Sequence, residues 1–260
     1  MKIICIDGYN SYLAKNFYNK YKKKYKIFIF KSDINNIKKL KTFIDKKKIS
    51  IYIRFAALSR SKCENNLIQC YSTNFTANKK LVNLLKFKKI KLLFMSSSHV
   101  YSYSNIRISE KSDIKPHNNY GKFKLKTENY IKKNIDDYLI MRIFNIYGKN
   151  QPPSFFIPDM ISKIKNNEEI TINKSIRDFI HVDEVSKIIN FSIKKKILGM
   201  INVGSGRGLT LKYIVKKIGK YIGIKPRLTE NNFSDKIVAN ISLLNSYGYK
   251  QNKNAKYFNI

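Results

Sequence analysis

No stretch of this chain approaches the ~18 uninterrupted apolar residues of a membrane-spanning helix, so no transmembrane segment is expected. The opening MKIICIDGYN has too short an apolar run for a secretion signal and reads as a first strand. Cysteine is scarce. Cys5, Cys63 and Cys70 are odd in number and lack metal-ligand spacing, which argues for reduced thiols in a cytoplasm and against a metal site or a disulfide framework. Arginine is scarce too: only seven of the 52 basic residues, in a chain whose formal net charge is +35. Arginine is the preferred residue for bidentate contacts to bases and phosphates. Its shortage, with lysine spread along the whole length, argues for a solvated basic surface and no nucleic-acid partner. Such a surface can still raise on-rates for anionic small molecules. There are no internal repeats and no low-complexity linker.

What is present is 260 residues, 43% hydrophobic, enough for one sizeable core, or one core with a small appendage. Short apolar runs (KIICI, YKIFIF, ISIYIRFAAL, KLLFMSSS, YLIMRIFNIYG) alternate with segments of helical period, among them LKTFIDKKK, residues 68–86 and LKTENYIKKN. That alternation predicts βα units around a parallel sheet. Ligands of such sheets bind at the carboxyl ends of the strands. Asp7-Gly8, Ala56-Ala57 and the serines of SSSHVY fall at such ends. After Gly148 the pattern changes. Pro152, Pro153 and Pro158 interrupt the chain, and a helix is expected from Ile157 to about Lys165. The expected organisation is a dinucleotide-binding domain over residues 1–150 and a smaller lobe over 151–260, with an approximate boundary that the chain can cross back over.

Tyr120 and Lys124 stand four apart in NNYGKFKLKTENYI. On a helix they share a face, so the ammonium is expected to lower the phenol pKa and fit it for proton exchange with a sugar hydroxyl or ketone. By itself, Tyr-x-x-x-Lys also arises on an ordinary solvated helix. KIICIDGYNSYLAKNF reads as strand, turn and helix start, with Gly8, Ser11 and Ala14 in the small-residue slots of a phosphate-binding turn. Any positive φ at Ser11 would be strained by its Cβ. A structural strand-to-helix turn is the other reading. The second strand leads to Lys31-Ser32, where an acid would favour NAD; this pair could take a 2′-phosphate instead.

Assembled in order, these pieces resemble the extended short-chain dehydrogenase/reductases, the NAD-dependent epimerase/dehydratase group acting on nucleotide-diphosphate sugars. DGYNSYLA stands for the family's TGxxGxxG, FAALS for its strand-end Ala-Ala, Asn74 of STNFTAN for its Asn-Val-x-Gly-Thr, and YGKFKLKTE for YGxSKxxxE. RIFNIYG, IRDFIHVDEV and INVGSG complete the series. The resemblance runs from Lys2 to about Tyr249. It implies an α/β, Rossmann-type doubly wound parallel sheet with a smaller C-terminal α/β substrate lobe. It implies NAD or NADP as cofactor, held by Gly8, Asn10, Ser11, Tyr12, Leu13, Lys31, Ser32, Ala56, Ala57, Asn74, Tyr120 and Lys124. It implies Ser97, Tyr120 and Lys124 as catalytic residues, and Ser97, Ser98, Asn145 and Arg177 as contacts to the sugar nucleotide. Otherwise Arg177 would pair with Asp178 or Asp183.

The implied activity is epimerisation of a nucleotide sugar by a cytoplasmic enzyme, with a homodimer allowed. An alternative is a nucleotide 4-keto-sugar reductase. Asp33 follows the second strand so soon that the usual third strand is missing, and nine residues separate Cys63-Glu64 from Asn74; both resemble the dTDP-4-dehydrorhamnose reductases. The dehydratase signature Thr-Asp-Glu is absent at Ser97-Ser98-His99, which argues against dehydration. His99 is expected to be a packed strand-end histidine. A non-catalytic nucleotide- or RNA-binding protein on the same scaffold is the alternative from another class.

Overall fold

The structure, a computed structural model, describes residues 2–251. The elements are, in chain order, β1 (Ile3–Ile6), α1 (Tyr12–Tyr21), β2 (Lys26–Ile29), α2 (Ile37–Lys47), β3 (Ile51–Arg54), α3 (Arg60–Asn65) and α4 (Leu67–Tyr71). A π-helical turn, Ser72–Thr76, leads into α5 (Ala77–Lys88) and β4 (Lys91–Ser97). A 3₁₀ turn, Ser98–Val100, precedes α6 (Asn119–Asn134) and β5 (Tyr138–Ile143). Then come β6 (Asn145–Tyr147), α7 (Phe156–Lys165), β7 (Glu169–Asn173), β8 (Ile176–His181) and α8 (Val182–Lys195). The last are β9 (Gly199–Val203), β10 (Gly208–Thr210), α9 (Leu211–Ile222), β11 (Arg227–Asn231), β12 (Lys236–Ile237) and α10 (Ser242–Ser246).

Two compact units result. Among the described residues, the first comprises 2–102, 112–143 and 186–201; the second comprises 103–111, 144–185 and 202–251. Residues 103–111 and 144–150 thus group with the later part of the chain, and 186–201 with the earlier part.

In the first unit the sheet has the order β2-β1-β3-β4-β5-β9. The strands from β2 to β5 pair in parallel, with Ile4 level with Ile27 and Ile51, and Leu93 level with Ile53 and Leu139. β1, β3, β4 and β5 read as near-continuous runs of Ile, Leu, Phe and Met because helices cover both faces of the sheet, as parallel sheets require. β2 is the edge of the sheet, so among the described residues no strand lies beyond it, in line with the early Asp33. The core on one face gathers Cys5, Phe30, Leu40, Tyr52, Leu81, Leu85, Phe94 and Ile131.

Two strand expectations shorten. ISIYIRFAAL is strand only as far as Arg54. YLIMRIFNIYG breaks at Phe144 into β5 of the large sheet and β6, which pairs with β8 in the second unit. The second unit also holds β10 and β12 against β8, the parallel pair β7–β11, and a core of Ile157, Met160, Ile164, Ile214, Val215 and Ile218 from α7 and α9.

The expectation of reduced thiols fails for two of the three cysteines. Cys63 of α3 and Cys70 of α4 form a disulfide, with Cα atoms 4.8 Å apart, and only Cys5 is a free, buried thiol. Two consecutive short helices bring residues seven apart within bonding reach, which their spacing in sequence did not reveal.

The first unit buries an ion pair between two helix-and-sheet layers. Glu128 of α6 and Arg142 of β5 are 0% and 1% exposed. Arg142 Nη2 donates to Glu128 Oε2 at 2.6 Å and its Nε to both carboxylate oxygens at 3.1 and 3.2 Å, while Ser96 Oγ donates at 2.5 Å. Removing one member leaves a buried charge without its partner. Arg142→Met is therefore expected to cost about 3–5 kcal/mol, read as a drop in the urea unfolding midpoint. The double variant Arg142→Met/Glu128→Leu should recover most of that loss. A single variant as stable as the native protein would show that the pair contributes nothing.

Candidate active site

The three residues expected to carry the chemistry come together in the first unit. Ser97 ends β4, and Tyr120 and Lys124 occupy one face of α6. Asn118 caps α6, its side chain accepting the Gly121 N–H at 2.8 Å. Gly121 itself is required by close approach: a Cβ there would lie 2.2 Å from the His99 carbonyl oxygen. The first turn of α6 is thereby seated against the turn that follows Ser97. The Tyr120 phenol hydrogen-bonds the Ser97 hydroxyl, and Lys124 Nζ lies 5.6 Å from the centre of the Tyr120 ring. Lys124 is buried; its Nζ donates to the Met95 carbonyl at 2.6 Å and sits 4.8 Å from the Phe94 ring centre.

The electrostatics differ from the expected lowering of the phenol by a lysine cation. Burial pushes the Tyr120 phenol up to about 12, with only the Ser97 hydrogen bond pulling the other way. Lys124 is itself pushed down to about 7, by burial first and then by the Arg54 guanidinium, against the pull of Glu128 and Asp7. The sequence places the ammonium beside the phenol. Only the fold removes the water that would keep both groups at their ordinary values.

The expected cofactor residues surround the ends of β1, β2 and β3. Gly8 has φ +59°, and a Cβ there would meet the Ala56 nitrogen at 2.4 Å. The bare backbone is therefore needed in the slot where the family pattern has its first glycine. Ser11 has no positive φ for its Cβ to strain. Its φ and ψ are −71° and 147°, and its side chain accepts the Ala14 N–H at 3.3 Å as the N-cap of α1. A serine is thus a good choice at this position, not a damaged glycine. Ala14, in the third slot, is fully buried against the sheet. Asn10, Tyr12 and Leu13 complete the turn; Lys31 is exposed and Ser32 half-buried just past β2. Ala56 and Ala57 follow β3.

Asn74 is fully buried and does not point its amide outward. Its Oδ1 accepts the Leu58 N–H at 2.8 Å, while its Nδ2 donates to the Leu58 carbonyl at 3.1 Å and to the sulfurs of Cys63 and Cys70 at 3.2 and 3.5 Å. It therefore holds the loop that bears Ala56 and Ala57. The bare backbone at Gly8 and the capped N-terminus of α1 suit a dinucleotide diphosphate.

Asn145 and Arg177 lie in the second unit. Asn145 Nδ2 donates to the Asp178 carbonyl at 2.9 Å. Arg177 pairs with neither Asp178 nor Asp183. Its Nη2 donates to Asp235 Oδ2 at 2.6 Å, and its Nη1 to the carbonyls of Ile176 and Asp235. Burial opposes ionisation of Asp235, but Arg177 and Ser175 outweigh it and hold the carboxyl below its ordinary range. Asp178 is occupied elsewhere, accepting the N–H groups of Ser205, Gly206 and Ala239 and the Ser205 hydroxyl.

Sequence reasoning gave no site role to Asp7, Arg54, Glu128 or Arg142, all buried within or beside the candidate group. A signal was available. Arginine and the acids are the rare charged residues here, and these four lie in or directly after apolar strand runs or on the buried face of α6.

Comparison with known proteins identifies the family. Residues 7–204 match the NAD dependent epimerase/dehydratase family. A UDP-glucuronate 4-epimerase from Thermodesulfobacterium geofontis is 27% identical over 87% of this chain and 74% of its own. A dTDP-D-glucose 4,6-dehydratase from Dictyostelium discoideum is 26% identical over 73% of this chain and 49% of its own, so the chain spans about half the length of that relative. Among solved structures, a dTDP-4-dehydrorhamnose reductase from Bacillus anthracis in complex with NADP superposes with a TM-score of 0.87 at 23% identity, covering 96% of this chain and 94% of that one. Among the described residues no helix is long and apolar enough to cross a membrane, and no His, Cys, Asp or Glu cluster could hold a metal. The chain belongs to the NAD-dependent epimerase/dehydratase family, whose members act on nucleotide sugars.

Proposed function

We propose that the chain is an NAD(P)-dependent nucleotide-sugar epimerase in which Tyr120 is the acid/base. The observation that supports this most is the contact of the Tyr120 phenol with Ser97, beside a buried Lys124. Tyr120 takes the proton from a sugar hydroxyl in the oxidative half and returns it once the keto sugar has presented its other face. Ser97 holds the same oxygen through its hydroxyl. Lys124 orients the phenol and contacts the nicotinamide ribose. Gly8, Asn10, Ser11, Tyr12 and Leu13 hold the dinucleotide diphosphate on the N-terminus of α1. Lys31 and Ser32 would flank its adenosine ribose and Ala56 and Ala57 its middle, with the buried Asn74 serving it by holding their loop in place. A bound oxidised dinucleotide supplies the hydride acceptor and a positive charge that favours the phenolate. Ser98, Asn145 and Arg177 contact the sugar nucleotide, the guanidinium matching a diphosphate through its planar fork.

A net 4-keto-sugar reduction is the second reading. It is favoured by the edge position of β2, the shortened sheet expected from the reductase resemblance. Incubating the protein with a nucleotide 4-keto sugar and reduced cofactor, beside a UDP-sugar with oxidised cofactor, separates the two by product.

Tyr120→Phe removes a single oxygen. It should lower kcat by roughly 10²–10⁴-fold and leave the calorimetric cofactor Kd near that of the native protein. Unimpaired turnover in a purified sugar-nucleotide assay would end this mechanism.

The cofactor-free protein should report the buried lysine through its stability. The folded value of about 7 lies below the ordinary 10.5, so between these limits the unfolded chain binds more protons. Stability contributed at this site therefore rises with pH across that window. The melting temperature of the native protein, relative to that of Lys124→Met, should increase from pH 7 to pH 9.5; a flat difference would mean that Lys124 titrates as an exposed lysine.

Arg177→Lys keeps the charge and loses the fork. If Arg177 grips the substrate diphosphate, KM for the sugar nucleotide should rise roughly ten- to a hundredfold, with cofactor affinity unchanged. If it serves Asp235 alone, the melting temperature falls and KM stays where it was.

A further inference from the structure

Next to Tyr120 stands a titratable side chain with no part in the mechanism above. The His99 ring meets the Tyr120 ring edge-on, with centroids 5.7 Å apart. Its backbone N–H donates to Ser97 Oγ at 3.3 Å. It therefore touches both residues that share the reacting proton. We propose that His99 is a positioning residue for Tyr120, held by Asn118 in the neutral tautomer that carries its proton on Nε2, so that the seat of the tyrosine is intact only while His99 is uncharged.

Asn118 is what decides the tautomer. Its Oδ1 accepts the backbone N–H of Gly121 at 2.8 Å. A backbone N–H can only donate, so the oxygen end of this amide faces Gly121. Its Nδ2 then lies 3.0 Å from His99 Nδ1. An amide nitrogen can only donate, so Nδ1 must accept, and the neutral ring carries its hydrogen on Nε2. A second proton, on Nδ1, would set two donors against each other. Asn118 cannot turn over to relieve this without surrendering the cap of α6.

The site has little slack in which to absorb the change. The missing Cβ of Gly121 lets α6 approach the His99 carbonyl. At the same turn of α6, the Asn119 N–H and side-chain amide donate to Glu64 of α3 at 3.0 and 3.3 Å. Charged and titratable groups on the elements around the imidazole include Tyr120, Lys122 and Lys124 on α6, His117 just before it, and Glu64 on α3. Loss of the Asn118–His99 bond loosens the turn between Ser97 and Tyr120, and turnover falls on the acid side.

The inference rests on Tyr120 as the acid/base for its kinetic consequence, but the tautomer can be read without turnover. Imidazole 15N–1H correlation spectra of the cofactor-free protein, from pH 5.5 to 8.5, should show His99 neutral and protonated on Nε2 at pH 7.5. Asn118→Asp keeps an oxygen to cap α6 and replaces the donor by an acceptor. In that variant the doubly protonated ring should persist about one pH unit higher. The acid limb of kcat should move with it. His99→Gln, a neutral amide that does not titrate, should keep kcat within about threefold and lose that limb, whereas His99→Phe should lower kcat about tenfold with the cofactor Kd unchanged. A His99 ring protonated on Nδ1 at pH 7.5, or one whose titration is indifferent to Asn118→Asp, overturns the proposal. So does an acid limb that survives in His99→Gln. Normal turnover by Tyr120→Phe would remove the acid/base reading and leave the tautomer result standing.

Discussion

The Asp7 carboxylate, buried at the end of β1, ties two strand ends into one rim. One oxygen accepts the N–H groups of Phe55 and Ala56 at 2.9 Å each, and the other accepts Arg54 Nη1 at 2.6 Å and the Tyr52 hydroxyl at 3.0 Å. Arg54 in turn donates to Asn78 at 2.7 Å and to the Thr73 carbonyl, reaching the helical segment after the disulfide. The candidate phosphate turn begins at the next residue, Gly8, with its backbone against Ala56. A buried carboxylate is tolerated only with its lone pairs filled. Here the groups that fill them belong to the loop that stands beside the candidate phosphate turn, so satisfying one charge sets the distance between the two segments.

The same arrangement recurs beside Ser97, Tyr120 and Lys124. Glu128 lies one turn beyond Lys124 on α6 and accepts from Arg142 and Ser96. It fastens the helix that bears Tyr120 and Lys124 to the strand that ends in Ser97 and to its neighbour. Four of the 17 acids, Asp7, Glu128, Asp178 and Asp235, are buried, and each meets backbone N–H groups, a serine or an arginine at a strand end. In a chain with 52 basic residues, acids left on the surface would readily find lysine partners of little value to stability. The few that are buried organise the sites. The two most buried arginines, Arg54 and Arg142, serve these acids and no polyanion, which accounts for part of the arginine that the chain does have.

Burial also shapes the chemistry. A tyrosine pushed toward about 12 stays neutral near physiological pH, while a lysine pushed toward about 7 is divided between its charged and neutral forms in the cofactor-free protein. Such a pair is poised to respond to a charge brought in from outside, since in a site with little water a nearby cation has a larger effect than it would at the surface. The buried lysine contributes most by its position and by its bond to the Met95 carbonyl.

The sequence by itself determined the repeating βα pattern, the parallel sheet and the place of Ser97, Tyr120 and Lys124. These depend on local period and on short spacings, four residues along one helix or a serine at the end of an apolar run, which any helix or strand turns into geometry. It also carried the loss of a strand beyond β2, because a chain that turns at Asp33 has no residues left to make one. Tertiary structure alone decided the rest. It split RIFNIYG between two sheets and grouped 186–201 with the first unit. It closed the Cys63–Cys70 bridge and gave Arg177 to Asp235, 58 residues away. It set the phenol and ammonium against their ordinary values, and made Ser11, in a small-residue slot of the turn, the cap of α1. Each of these depends on which residues distant in sequence exclude water together, and a pattern read along one chain carries no record of that.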